Sequence, residues 1–219
     1  MKALFVNGSP RKNWNTHQML ESAARGAAEA GAETAIVHLY DLAFKGCVSC
    51  FACKLKGNRT NGLCAFRDPL TPVLEKARAA DVLVIGTPVY FYYPTGMTRA
   101  FLERLLFPAL AYKTEGPRVI TKNVATAMIF TMNVHEDRAV QFDYPTILGA
   151  NAKALKLLFG YCETLCAYDT CQFSDYSRYD VTSFDGAHKV RHREEQFPVD
   201  LQNAFELGRR LVCKAGEPN

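Results

Sequence analysis

The run Asn7-Gly8-Ser9-Pro10-Arg11-Lys12-Asn13-Trp14-Asn15-Thr16 follows a short apolar stretch, Ala3-Leu4-Phe5-Val6, and leads into a helix-like segment. A buried strand that breaks at Gly-Ser-Pro and reopens as a helix builds an anion site. The first turn leaves backbone N–H groups unpaired, and the helix dipole favours negative charge there. Ser9, Asn15 and Thr16 add neutral donors. This chemistry suits a phosphate monoester, and it points to the carboxyl ends of the other strands for the rest of a ligand.

Two further runs stand at such ends. Gly86-Thr87-Pro88-Val89-Tyr90-Phe91-Tyr92-Tyr93-Pro94-Thr95-Gly96 reads as a loop whose aromatic and branched residues turn propensity does not explain. A flat ring system explains them, with side chains on its face and backbone groups at its polar edge. Packing of a hydrophobic loop on its own helix or on another subunit explains them equally well. In Thr131-Met132-Asn133-Val134-His135, Asn133 can hydrogen-bond a pyrimidine-like edge and Met132 can pack on a ring, although Asn after a strand is also ordinary turn chemistry. His135 reads as a surface histidine without a role.

The third group is thiol-based. Cys47-x-x-Cys50-x-x-Cys53 gives two overlapping C-x2-C spacings, with Cys64 after ten intervening residues. Such spacing lets one turn of chain aim three thiolates at an iron–sulfur cluster. A zinc site fits less well, because the paired C-x2-C units of a zinc ribbon are missing. Reduced thiols without metal are the favoured reading. Cys162, Cys166, Cys171 and Cys213 lie in apolar surroundings and are expected to be buried.

The elements that must position these groups alternate. Strands are expected at 3–6, 34–39, 82–85, 124–131 and 163–171, the last at an edge. Helices are expected at 16–30, 70–80, 95–106, 145–159 (ending at Gly160) and 199–213, the second with Asp68 as N-cap and Pro69 in its first turn. Continuous apolar strands separated by helices predict an α/β fold: a doubly wound, five-stranded parallel sheet in the flavodoxin-like order 2-1-3-4-5, with its ligand at the switch point between the first and third strands. Residues 1–219 read as a single domain. Residues 41–67 form a Cys-rich insertion loop and residues 173–219 a C-terminal extension.

Composition narrows the function classes. The chain has 219 residues, 48% of them apolar, which suits one domain with a substantial core. No apolar run approaches a membrane span, and Lys2 with four apolar residues is no signal peptide, so a cytoplasmic protein with reduced cysteines is expected. The net charge of +4 is dispersed; Lys189-Val190-Arg191-His192-Arg193 runs into Glu194-Glu195 and reads as the solvated face of a helix, not a nucleic-acid stripe. Neither a P-loop nor a Gly-x-Gly-x-x-Gly follows any strand.

From Lys2 to about Phe173 the chain resembles the NADPH-dependent FMN reductase and iron–sulfur flavoprotein families of the flavodoxin-like superfamily. The resemblance rests on the first run together with Thr87-Pro88-Val89-Tyr90-Phe91-Tyr92 and Thr95-Gly96-Met97-Thr98-Arg99-Ala100-Phe101-Leu102-Glu103-Arg104. It implies FMN as cofactor and NAD(P)H as donor. Ser9, Arg11, Asn13, Asn15 and Thr16 would surround the phosphate, Pro88, Val89, Tyr90 and Phe91 would line the ring, and Thr131, Met132 and Asn133 would meet its pyrimidine side. Trp14 departs from the small residue usual there, so its indole is expected over the loop or against a partner subunit. The resemblance also implies a homodimer or homotetramer, a small-molecule acceptor (quinone, nitro compound or flavin) and no catalytic side chain. In its iron–sulfur branch Cys47, Cys50, Cys53 and Cys64 would hold a four-iron cluster, but the Lys54–Leu63 gap is longer than usual. The alternatives are ferredoxin-linked electron transfer with that cluster, or a non-enzymatic FMN-binding redox sensor.

Overall fold

A computed structural model describes residues 1–217. Five parallel strands form the central sheet: β1 (Lys2–Asn7), β2 (Glu33–His38), β3 (Val82–Tyr90), β7 (Val124–Thr131) and β8 (Gly160–Ala167), in the spatial order β2-β1-β3-β7-β8. This is the expected flavodoxin-like order, with β8 at the edge. The short strand β4 (Tyr93–Pro94) folds back on β3, and β5 (Leu110–Lys113) pairs with β6 (Gly116–Arg118) outside the main sheet.

Strand periodicity sorts the core into two layers. Leu4, Val6, Leu83, Ile85, Met128 and Phe130 face one side. They pack under α2 (Thr71–Ala79), α3 (Gly96–Ala109) and α5 (Tyr144–Phe159). Ala3, Phe5, Val82, Val84, Ala127 and Ile129 face the other side, beneath α1 (Asn15–Glu29) and α7 (Phe197–Ala215). Each fully buried large apolar side chain contributes about 1.5–3 kcal/mol. The α1–α7 pair is close enough to need glycine. A Cβ on Gly26 would come within 1.9 Å of the Phe205 carbonyl oxygen, and one on Gly208 within 1.9 Å of that of Ala23.

Several boundaries differ from expectation. The run 86–96 is not a loop: β7 pairs with β3 as far as Pro88–Thr131, and β4 pairs with it at Val89 and Tyr90. The chain then turns through Phe91 and Tyr92, both at positive φ (48° and 73°), into β4. The last strand starts at Gly160 and stops at Ala167, which leaves 168–171 as a loop. The second helix starts at Thr71, so Pro72 and not Pro69 lies in its first turn, while Asp68 Oδ1 still accepts from the Leu70 N–H at 3.0 Å. Two helices were not expected as separate elements, α4 (Glu136–Gln141) and α6 (Gly186–Glu195).

The basic run on α6 is solvated only in part: Arg191 is exposed, but Lys189 and Arg193 turn inward. Lys189 is buried, and its ammonium bonds the Asp169 carboxylate and the Asn133 carbonyl. Arg193 reaches α1, where Nη1 donates to Asn15 Oδ1 at 2.6 Å. Cys171 is buried as expected and Cys162 and Cys166 are half-buried, but Cys213 is exposed on α7. Among the described residues no helix is long and apolar enough to cross a membrane.

Candidate functional site

The carboxyl ends of β1, β3 and β7 meet the start of α1 at one cleft of about 320 Å³, within the range of small-molecule sites. Short polar contacts fix its floor. Asn7 Oδ1 accepts from the Ser9 N–H at 2.9 Å, and Gly8 N–H donates to the Gly86 carbonyl at 2.8 Å. Thr95 Oγ1 donates to the Gly8 carbonyl at 2.8 Å. Gly8 is required at this crossing, because a Cβ there would lie 1.9 Å from Thr98 Oγ1. Ser9 Oγ accepts from the Arg11 N–H at 3.1 Å, which curls the loop before α1. Thr16 Oγ1 and Thr131 Oγ1 share a hydrogen bond of 2.8 Å and tie the first turn of α1 to the end of β7.

Ten of the twelve residues expected to bind ligand line this cleft: Ser9, Arg11, Asn15, Thr16, Pro88, Val89, Tyr90, Thr131, Met132 and Asn133. The other two do not. Asn13 is exposed before α1, where its carbonyl accepts from Gln18 Nε2 at 3.3 Å. Phe91 occupies the hairpin tip and is 92% exposed. Burial pushes the Tyr90 phenol up, with Tyr40 adding to the rise and Arg11 opposing it, so Tyr90 is a neutral hydroxyl at the rim.

The cleft has a wall the sequence did not announce. The segment after β8 contributes Thr170, Cys171, Gln172 and Phe173. The Cys171 carbonyl accepts from Trp14 Nε1 at 3.0 Å and from Asn15 Nδ2 at 2.8 Å, and the Gln172 carbonyl accepts from Arg11 Nη1 at 2.6 Å. Trp14 therefore faces inward, between the guanidiniums of Arg11 (4.5 Å from the ring) and Arg193 (5.1 Å). Both ends of the Asn15 side chain are engaged, which makes it a brace between α1 and the C-terminal segments. The two arginines add positive charge beside the helix N-terminus.

One polar atom in this cleft is left over. Asn133 Oδ1 is buried without a partner, a state that costs about 1–3 kcal/mol unless a ligand donor answers it. An anion-seeking helix start, an apolar rim of Pro88, Val89 and Met132, and an orphan acceptor match the phosphate, ring face and imide N–H of FMN.

A second site gathers the thiols. Cys47, Cys50, Cys53 and Cys64 all line one closed cavity beside α3. Arg104, buried in α3, donates from Nε to Cys64 Sγ at 3.3 Å and from Nη1 to Asp68 Oδ2 at 2.5 Å. The Cys47 N–H donates to Glu103 Oε2 at 3.1 Å, and the Lys54 ammonium donates to the Phe107 carbonyl at 2.5 Å. Burial raises the Cys53 thiol, although Lys54 opposes the rise. The cavity holds only about 10 Å³, room for at most one water. The four cysteines share this lining, but space for a cluster would require the exposed Cys47–Cys50 stretch to move outward.

A family model described as NADPH-dependent FMN reductase matches residues 1–150. An iron–sulfur flavoprotein of Archaeoglobus fulgidus is 43% identical over 104 residues, 48% of this chain and 48% of that protein. The chain matches about half the length of the curated relatives. Among solved structures, the fold is similar to an NAD(P)H:quinone oxidoreductase from Methanothermobacter marburgensis, with TM-score 0.66, 16% identity and coverage of 96% of this chain and 98% of that one. It is also similar to an azoreductase from Bacillus anthracis, with TM-score 0.65, 15% identity and coverage of 96% and 99%.

Proposed function

The chain belongs to the NADPH-dependent FMN reductase family, and from that premise we propose that it is an FMN-dependent NAD(P)H oxidoreductase serving a small acceptor, a quinone, nitro compound or free flavin. The observation that carries this reading is the unpartnered, buried Asn133 Oδ1, which shares its cleft with the N-terminus of α1. FMN, when bound, supplies hydride acceptance and electron transfer at its ring. The protein's own residues would hold and orient it. Ser9 Oγ, Thr16 Oγ1 and the first N–H groups of α1 would bind the phosphate, with Arg11 and Arg193 neutralising its charge.

Pro88, Val89 and Met132 would pack on the ring and exclude water from one side. Asn133 Oδ1 would accept the ring's imide proton, which fixes orientation. Tyr90 stays protonated and can donate at the rim. No side chain in the cleft is needed as a dedicated acid or base. The test is NADPH oxidation by the FMN-loaded protein with a quinone, a nitroarene and free flavin as acceptors. Turnover with at least one supports the reading; flavin that binds but is never reduced by NADPH or NADH removes it.

A second reading is supported by one observation, that Cys47, Cys50, Cys53 and Cys64 all line the cavity beside Arg104. In that reading an iron–sulfur cluster held by Cys47, Cys50, Cys53 and Cys64 accompanies FMN, and ferredoxin is the partner. Iron and acid-labile sulfide assayed on anaerobically purified protein and on its Cys64→Ser variant decide it: stoichiometric iron lost in the variant supports the cluster, and no iron in either leaves the thiols free. We also propose a homo-oligomer. The β3–β4 turn sets the backbone of Phe91, but its aromatic side chain is almost fully exposed at the hairpin tip, apolar surface that a second copy of the chain would cover.

A further inference from the structure

Beyond the cleft and the thiol cavity, one group of side chains has chemistry without an assignment. Asp169, in the loop after β8, is buried, and its Oδ1 accepts from the buried Lys189 ammonium. Its Oδ2 faces three imidazoles instead: His188 Nε2 at 2.7 Å, His135 Nδ1 at 3.3 Å and His192 Nδ1 at 3.6 Å. A carboxylate oxygen has two lone pairs, so three ring nitrogens exceed what it can bond. His188 and His135 stand nearest to this oxygen, and a cation shared by the two rings and the carboxylate answers the crowding. His192 turns its Nε2 to the Tyr168 carbonyl at 3.3 Å instead.

We propose that His135, Asp169 and His188 form a divalent transition-metal site, zinc by preference, with an open position toward the neighbouring cleft. One ligand atom from each of the three lies within 4.8 Å of the other two. A tetrahedral zinc with bonds of about 2.0–2.1 Å separates its ligand atoms by roughly 3.3 Å. The His135–Asp169 pair already stands at 3.3 Å, and the His188–Asp169 pair needs to open from 2.7 Å. Two imidazoles and one carboxylate suit zinc better than calcium or magnesium, which prefer oxygen. Lys189 on Oδ1 takes the place an outer-shell donor to a ligating carboxylate occupies, and it holds the loop while Oδ2 binds.

The site opens outward. His135 is 56% and His188 43% exposed at the side chain, and both line a cleft of about 830 Å³ that also contains Arg138 and Tyr144. Three protein ligands with a solvent-facing fourth position match zinc sites that polarise a bound oxygen. Met132 and Asn133 line this cleft as well as the first one, so an oxygen-bearing molecule held by the metal would sit next to the proposed ring site.

The test is equilibrium dialysis of chelator-stripped full-length protein against Zn²⁺, with X-ray absorption at the zinc edge. The expected result is one zinc per chain with a nitrogen and oxygen shell. That zinc is retained in Cys64→Ser and bound at least about 100-fold more weakly in His135→Ala and His188→Ala. Both histidines are partly exposed, so these variants should keep the melting temperature of the zinc-free protein; His188→Gln, with a polar side chain of similar reach, must weaken zinc to the same degree. Zinc held only by sulfur, or affinity unchanged in the histidine variants, overturns the proposal.

Discussion

At the residue scale, unpaired or unusually paired polar groups distinguish the cleft. Asn133→Ala removes a buried acceptor that has no partner in the free chain. It should leave the melting temperature of the flavin-free protein unchanged or higher, yet weaken FMN about tenfold, roughly 1.4 kcal/mol. A fluorescence titration checks this; unchanged affinity would move the ring elsewhere. Ser9→Ala and Thr16→Ala should each weaken FMN by a similar factor through the phosphate. Ser9, Thr16, Met132 and Asn133 were legible in the sequence because each sits within a few residues of a strand end, where local pattern places it. Arg193 and Cys171 were not. They reach the same site across 178 and 156 residues of chain, a separation that periodicity and turn chemistry do not register. Lys189 was misread for the same reason: its buried partner, Asp169, belongs to another element.

At the scale of elements, the α1–α7 contact sets a sharp expectation. Gly208→Ala drives a Cβ into the Ala23 carbonyl, which is backbone and cannot rotate away. The loss should be at least about 2–3 kcal/mol, measured by urea unfolding; a loss below 1 kcal/mol would mean the helices separate freely. Asp200, near the start of α7, makes the opposite prediction. Burial raises its carboxyl above the ordinary range, with Gln196 and His192 opposing, and Oδ2 has no partner. A raised carboxyl weakens the fold where it is ionised in the folded state. Asp200→Asn should therefore be more stable than the parent at pH 7. The gap should close as the pH falls through the raised folded value into the ordinary carboxylate range; a gap constant with pH would contradict this. Strand order and helix positions were legible because the central strands are continuous apolar runs and the edge strands are mixed in polarity. The β3–β4 hairpin was not, because Gly86, Pro88, Pro94 and Gly96 all signal turns, and pairing with β7 as far as Pro88 and with β4 at Val89 and Tyr90 holds 86–90 extended.

On the scale of the whole molecule, the two helical layers leave one sheet end open, and the first and last thirds of the chain close over it. The exposed aromatic tip at Phe91 stands on that rim. Sedimentation should give a mass that is a multiple of 24.4 kDa, reduced by Phe91→Ser; a monomer at micromolar concentration would show that the tip serves ligand and not assembly. The central claim, that this open end holds FMN as a redox group, is tested most directly by the anaerobic visible spectrum of the protein reconstituted with FMN, before and after NADPH or NADH is added. The expected result is one FMN per chain, its absorbance bleached by the nicotinamide and restored by a quinone. A protein that retains no flavin after reconstitution, or whose bound flavin stays oxidised with either nicotinamide, would contradict it.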